Sequence, residues 1–273
     1  MAPPTSDARY AAEARAFRAR ARAGDWTAPT TGAVPGALQA NLAVMPGAEA
    51  DAFERYCRLN PRPCPLLGRT APGGVAIPSL AGDLDIARDL PAYRLIRDGR
   101  PAERVTSLAG HWRADTVAFA IGCSFSFEDA MARAGLRLAH IEAGRNVPMY
   151  VSSIETTAVA PFGGPMVVSM RPVAEADLEA VHAISARFPF AHGAPVHAGD
   201  PAAIGIADLD RPDFGDPPDA RPGEVPVFWA CGVTAQMALR HARLPVAATH
   251  DPGHMLVTDL DAAAPGLADW QAA

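Results

Sequence analysis

Lysine is absent from this chain; all 24 basic residues are arginine. Together with the abundance of Ala and Pro, this reads as the coding bias of a GC-rich genome rather than as a functional signal. Positive charge is also lacking overall. A net charge of −6 with no run of basic residues argues against a nucleic-acid-binding surface. Cysteine is scarce: four in 273 residues cannot make a disulfide framework. Cys57 and Cys64 have six residues between them, a spacing of neither a zinc knuckle nor a dithiol redox motif. A reducing cytoplasm is the expected setting. No apolar run approaches the ~20 residues that span a bilayer, so no membrane partner is expected. What remains is 49% hydrophobic and only 20% charged, which suits a compact enzyme-sized globule of one large domain or two modest ones. The Arg-rich stretch 8–24 has a transit-peptide look, but Glu13 and the lack of Ser favour an amphipathic first helix.

Against this background one repeat stands out. Residues 116–136 read TVAFAIGCSFSFEDAMARAGL and residues 225–244 read VPVFWACGVTAQMALRHARL. Each has an apolar run, then a Cys beside small residues, a Ser or Thr three positions on, and a helical pattern closing on Leu. Cys123 and Cys231 stand 108 residues apart (231 − 123), and Glu142-Ala-Gly-Arg145 is echoed by Asp251-Pro-Gly-His254. A buried strand turning sharply into a helix points backbone N–H groups outward, where a carboxylate or an oxyanion can bind. The repeat therefore predicts a pseudo-twofold site with one elbow from each half; small core cysteines at strand ends are the alternative.

Around these units the patterns predict helices over 7–23, 49–59, 127–134, 175–187 and 234–241. Strands are expected at 40–44, 116–121, 138–141, 147–151, 166–170, 195–197, 227–230, 246–249 and 255–259, with a hairpin over 93–105 turning at Asp98-Gly99. The Pro-pinned segment 60–68 is a rigid wall. The expected fold is α/β: a mixed sheet flanked by helices, built from 1–138 and 191–273, with a smaller α+β lobe, 139–190, inserted in the middle.

Candidate chemistry gathers at the loops. Cys123, Ser124 and Glu128 sit at a predicted helix start, which lowers a thiol's pKa and attracts anions. Ser126 reads as an N-cap, and Glu128 as either a first-turn helix residue or a catalytic acid. Arg145, beside Asn146 in a glycine turn, and Arg171, at the end of a buried strand, are candidate carboxylate clamps. His197, His250 and His254 are candidate proton carriers, with Asp200 beside the first. Cys231, Gly232 and Thr234 form the second elbow. A metal held by His197, Asp200, His250 and His254 has suitable ligand types but no known spacing, since Pro252 and Gly253 break the helical pattern. No metal or cofactor is expected.

Several of these segments carry a resemblance: QANLAVMP from Gln39, NPRPCPLLG from Asn60, IGCSFSFE from Ile121, HIEAGRNVPMY from His140, FGGPMVVSMRP from Phe162, RFPFAHGAPVHAGDP from Arg187, VFWACGVTAQ from Val227 and THDPGHMLVTDL from Thr249. Over about residues 18–260 the chain resembles a bacterial hydro-lyase family to which the corresponding domain of D-glutamate cyclase is similar. Ala143, Ala198 and Asp251 depart from the pattern. The resemblance implies a small dicarboxylate or amino-acid substrate and loss of water, with D-glutamate closing to 5-oxo-D-proline as the leading reaction. Arg145 and Arg171 would clamp the carboxylates, His197 or His250 would take the amine proton, and the elbows would hold the oxyanion. Glu128 or His254 would protonate the departing hydroxyl. A dehydratase of another acid and a non-catalytic carboxylate binder are the alternatives; a homo-oligomer is compatible with either.

Overall fold

A computed structural model describes residues 8–264 and 267. The first helix, α1 (Ala8–Ala23), ends at Gly24, whose φ of +79° supplies the left-handed stop expected after a helix. Its Arg18 is fully buried and ties the helix to the last of the described strands, donating to Asp259 at 2.7 Å and to the Val257 carbonyl at 2.9 Å.

The α/β class expected from the sequence is the one the chain adopts, and the strands form two sheets. The larger runs β2 (Leu66–Arg69), β5 (Thr116–Gly122), β1 (Ala37–Pro46), β10 (Ala247–His250), β3 (Tyr93–Arg97), β4 (Arg100–Val105), with β11 (Leu256–Asp261) also on β1. The smaller runs β6 (Met149–Glu155), β7 (Pro165–Ala174), β9 (Glu224–Ala230), β8 (His197–Ala198). Every pairing among the described strands is antiparallel rather than mixed, because hairpins and crossings between sheets replace parallel crossovers. The middle segment supplies β6 and β7, but these share their sheet with β9 of the second elbow unit.

Strand alternation places the core. On β5, Ala118 and Ala120 face one cluster while Val117, Phe119 and Ile121 face another. Both faces are covered, so all seven residues are buried and the strand reads as a continuous apolar run. One face packs on α2 (Ala50–Leu59) and α6 (Val233–Ala242), where Phe53 meets Phe119 and Phe162 edge-on at 5.0 Å each. The other packs on α3 (Phe125–Arg133), α5 (Leu178–Ala186) and the inner face of the smaller sheet through Val173, Val227 and Trp229.

One expected strand is a helix. Of residues 138–141, Leu138 precedes and the other three begin α4 (Ala139–Glu142), with Ala139 and His140 buried and Ile141 exposed. Four residues, three of them apolar, are too few for periodicity to separate the two states.

Candidate active site

Both elbows form where the repeat predicts them. At the first, β5 hands over through Cys123 and Ser124 to α3; at the second, β9 hands over through Cys231 and Gly232 to α6. Neither turn is strained: Ser124 (φ −59°, ψ −22°) and Gly232 (φ −63°, ψ −15°) take ordinary right-handed values. In each copy the cysteine sulfur accepts the first N–H of its helix, from Phe125 and from Val233. Burial outweighs that hydrogen bond, however. It pushes the Cys123 thiol up, helped by Cys231 and Glu128, and pushes Cys231 up to about 11. The lowered thiol pKa expected at a helix start is therefore absent, and both groups stay protonated at neutral pH. Ser126 does not cap α3 either; its hydroxyl accepts the Gln39 N–H at 3.3 Å.

The two elbows meet at Asn41 of β1. Its Nδ2 donates to the Gly122 carbonyl at 2.7 Å, and a Cβ on Gly232 would fall 2.0 Å from the same nitrogen. Only glycine fits there. Gly122 is as constrained, since its Cβ would lie 1.5 Å from the Phe190 carbonyl. Thr234 joins the second elbow to β7, its Oγ1 accepting the Val167 N–H at 3.0 Å.

Beneath the first elbow lies a buried ion pair. Arg171 is 1% exposed, its guanidinium over the rings of Phe127 and Trp229 at 5.2 and 5.3 Å. It donates twice to Glu128, once to Ser124 at 3.1 Å and once to Ser169 at 3.1 Å. With four donor contacts made inside the protein, Arg171 anchors Glu128 rather than standing free as a substrate clamp. His140 Nε2 lies 3.1 Å from Glu128 Oε1, close enough to pair but off the hydrogen-bonding direction. Burial raises the Glu128 pKa, but His140 and Arg171 together outweigh it and hold the carboxyl at about 2. Glu128 is thus a fixed negative charge and not a proton donor near neutrality.

The other histidines fall away from this centre or are held by it. β8 pairs His197 with Phe228, which alternates with Trp229, so His197 lies on the opposite face of the smaller sheet from Ser169 and Arg171. Its Nε2 meets the Asp200 carbonyl at 2.7 Å, and the Asp200 side chain caps the Ala202 N–H. His250 fills a break in the β1 ladder, which pairs with β11 up to Ala40 and with β10 from Ala43. There Nδ1 accepts the Leu42 N–H at 3.1 Å, so Nε2 carries the proton, and the Gln236 amide lies 3.1 Å from it. Burial lowers His250 to about 4 and His192, which bonds the Arg62 carbonyl at 2.8 Å, to about 4 as well. His254 is engaged at both nitrogens, by the Pro252 carbonyl at 2.8 Å and the Thr27 carbonyl at 3.1 Å. Its neighbour Asp251 is clasped by Arg94 and Arg104.

Arg145 is exposed in its turn, and Asn146 leads from it to the loop of Gly253, whose Cβ would be 3.8 Å from the Asn146 amide. Among the described residues no three His, Cys, Asp or Glu side chains are grouped to hold a metal. Asn41, His140, Ser169 and Gln236 were not singled out from the sequence. The signal for Asn41 was a polar residue alternating with Gln39 inside an otherwise apolar strand.

Fold and site define an antiparallel α/β protein whose buried polar groups gather at paired strand–helix turns. Residues 117–259 match the D-glutamate cyclase family, and the chain belongs to that family. A protein of Bordetella petrii provisionally named a hydro-lyase is 56% identical over 247 residues, covering 90% of this chain and 94% of its own. A similarly named protein of Jannaschia sp. is 52% identical over 249 residues, covering 91% and 94%. A solved structure, a nitrogen repressor-like protein from Methanococcus jannaschii, aligns over 93% of this chain and 99% of its own, with a TM-score of 0.39 and 8% identity. A likeness that low carries no argument about function.

Proposed function

We propose that the protein binds a small amino or hydroxy acid at the paired elbows and eliminates water from it, with D-glutamate closing to 5-oxo-D-proline as the reaction to test first. The observation that carries this reading is the convergence of both elbows on Asn41, beside a buried Glu128–Arg171 pair. In the cyclisation the amine nitrogen bonds to the γ-carboxyl carbon, a C–O bond breaks, and the hydroxyl departs with a proton as water. The amine must lose a proton and the departing oxygen must gain one. His140 is placed for that transfer, its imidazole beside a carboxylate that stays ionised. The thiols of Cys123 and Cys231 stay neutral and act as weak donors and as walls rather than as nucleophiles. An intramolecular amine needs no covalent relay. Arg145 and Asn146 are the groups left for the distal carboxylate.

The test is an assay of chelator-treated protein with D-glutamate, L-glutamate and 5-oxo-D-proline, products being resolved by chiral chromatography. Interconversion of D-glutamate and 5-oxo-D-proline is expected, with His140→Gln lowering kcat by about a hundredfold or more. No turnover in either direction, with divalent metal restored, removes the cyclase reading. One observation favours a second reading, a non-catalytic carboxylate binder: His197, His250 and His254 are all tied to backbone carbonyls or amides. Saturable binding of D-glutamate without turnover would select it.

A further inference from the structure

We propose a second ligand site, in the groove at the C-terminal end of α6, that takes a small molecule bearing several phosphate groups. The groove encloses about 1030 Å³, enough for a nucleoside triphosphate. Arg97 and Arg100 line it from the β3–β4 hairpin, Arg240 from α6 and Arg243 from the residue that ends that helix. Asp98 is the one acidic residue in its lining, so the local balance is 4 − 1 = +3 in a chain of net charge −6.

Three features of the arrangement suit an anion. Arg97 and Arg100 are direct partners across the hairpin, and like charges placed opposite one another destabilise a strand pair. Among the described residues none of the four arginines forms an ion pair; Arg240 reaches only the Met237 sulfur, at 3.6 Å. The two pairs are also forced together, because a Cβ on Gly99 would lie 2.3 Å from the Arg240 carbonyl. Basic residues at a helix C-terminus complement its dipole, which accounts for Arg240, His241 and Arg243 but not for Arg97 and Arg100.

The opposite wall suits a phosphate. Gly163 and Gly164 present no side chain, and the Gly164 carbonyl is occupied by the Thr156 N–H at 3.1 Å and hydroxyl at 2.6 Å. An anion approaching there meets the bare backbone of two glycines, with His241 beside Gly164. Guanidinium forks on two sides match the spread oxygens of a phosphate chain better than a single carboxylate. α6 has ten residues, about 15 Å of helix, and the groove lies along its C-terminal half, from Met237 to Arg243.

Calorimetric titration of the full chain with inorganic tripolyphosphate, and separately with ATP, at low and high salt tests the site. One saturable site is expected, weakening as salt rises. Arg97→Gln/Arg240→Gln should weaken tripolyphosphate by about tenfold or more without lowering the melting temperature of the free protein, since the Arg97–Arg100 repulsion is relieved, and Arg100→Gln/Arg243→Gln should do likewise. Equal affinities would mean that the phosphate chain is what is read; tighter ATP would mean that the nucleoside is read as well. No saturable heat with either ligand overturns the proposal, and so does wild-type affinity in both double variants.

Discussion

At Cys123 the strand hands over to a helix whose first turn carries Glu128, and 108 residues on the same position of the second helix carries Gln236. Each faces an imidazole Nε2 at 3.1 Å, Glu128 that of His140 and Gln236 that of His250. The surroundings then diverge. The first copy adds Ser124, Ser169 and a buried guanidinium, while the second has Gly232 against Asn41 and a hydroxyl turned to backbone. One backbone plan thus supports a charged centre and a neutral one. In the neutral copy the imidazole is pressed down to about 4 and braces a broken strand ladder; in the charged copy the carboxylate is held ionised. Charge organises the first elbow, and shape the second.

The sharpest way to break the contrast is to make the first copy neutral. Glu128→Gln reproduces the residue of the second copy but leaves the Arg171 charge buried without a carboxylate. The expected loss is about 3–5 kcal/mol in urea unfolding. A loss below about 1 kcal/mol would mean that water or Ser124 and Ser169 satisfy Arg171 unaided, and that the first elbow is not organised by charge.

Acid provides a comparison of the two copies within one molecule. His192, against the first elbow, and His250, in the second, both fall from 6.5 to about 4. The unfolded chain therefore takes up protons from pH 6.5 downward before the folded chain does. Their stability is fully present above pH 6.5 and is lost as pH falls towards 4, by about 3 kcal/mol for each group. Glu128 has the same sign in a lower window, losing its contribution between pH 4.5 and about 2. Melting temperature measured from pH 7 to pH 4.5 should fall, and His250→Gln should flatten part of that fall. A level profile in the wild type would contradict buried, neutral imidazoles at both places.

How far the sequence discloses all this depends on what each feature rests on. The two strand–helix units are legible because an apolar run changing to helical spacing is a local signal, as is the Asp98-Gly99 turn, where both residues take positive φ. Cys123, Glu128 and Cys231 are legible through the repeat. The partners of Arg171 are legible only in part: Ser169 is two residues away on the same strand, whereas Glu128 and Ser124 reach it from the first elbow. His197 misleads for a related reason: its loop composition suggests a site, and only its pairing with Phe228 shows that it lies across the sheet from one. The helix of α4 is hidden by its brevity.

The smallest change expected to register is one methyl group at the second elbow. Gly232→Ala would place Cβ 2.0 Å from Asn41 Nδ2, and that nitrogen cannot simply retreat while it holds the Gly122 carbonyl. Overpacking of this kind costs about 1–3 kcal/mol. Because φ at Gly232 is −63°, the penalty is steric and owes nothing to backbone strain. Shortening the neighbour should therefore relieve it. In Asn41→Ala/Gly232→Ala the clash disappears, and what remains is the lost hydrogen bond to Gly122, about 1 kcal/mol. The double variant should be more stable than the sum of the single losses predicts, a coupling readable in a double-mutant cycle by urea unfolding. Additive losses would mean that the elbows do not meet at Asn41, and the joint site would then divide into two unrelated turns.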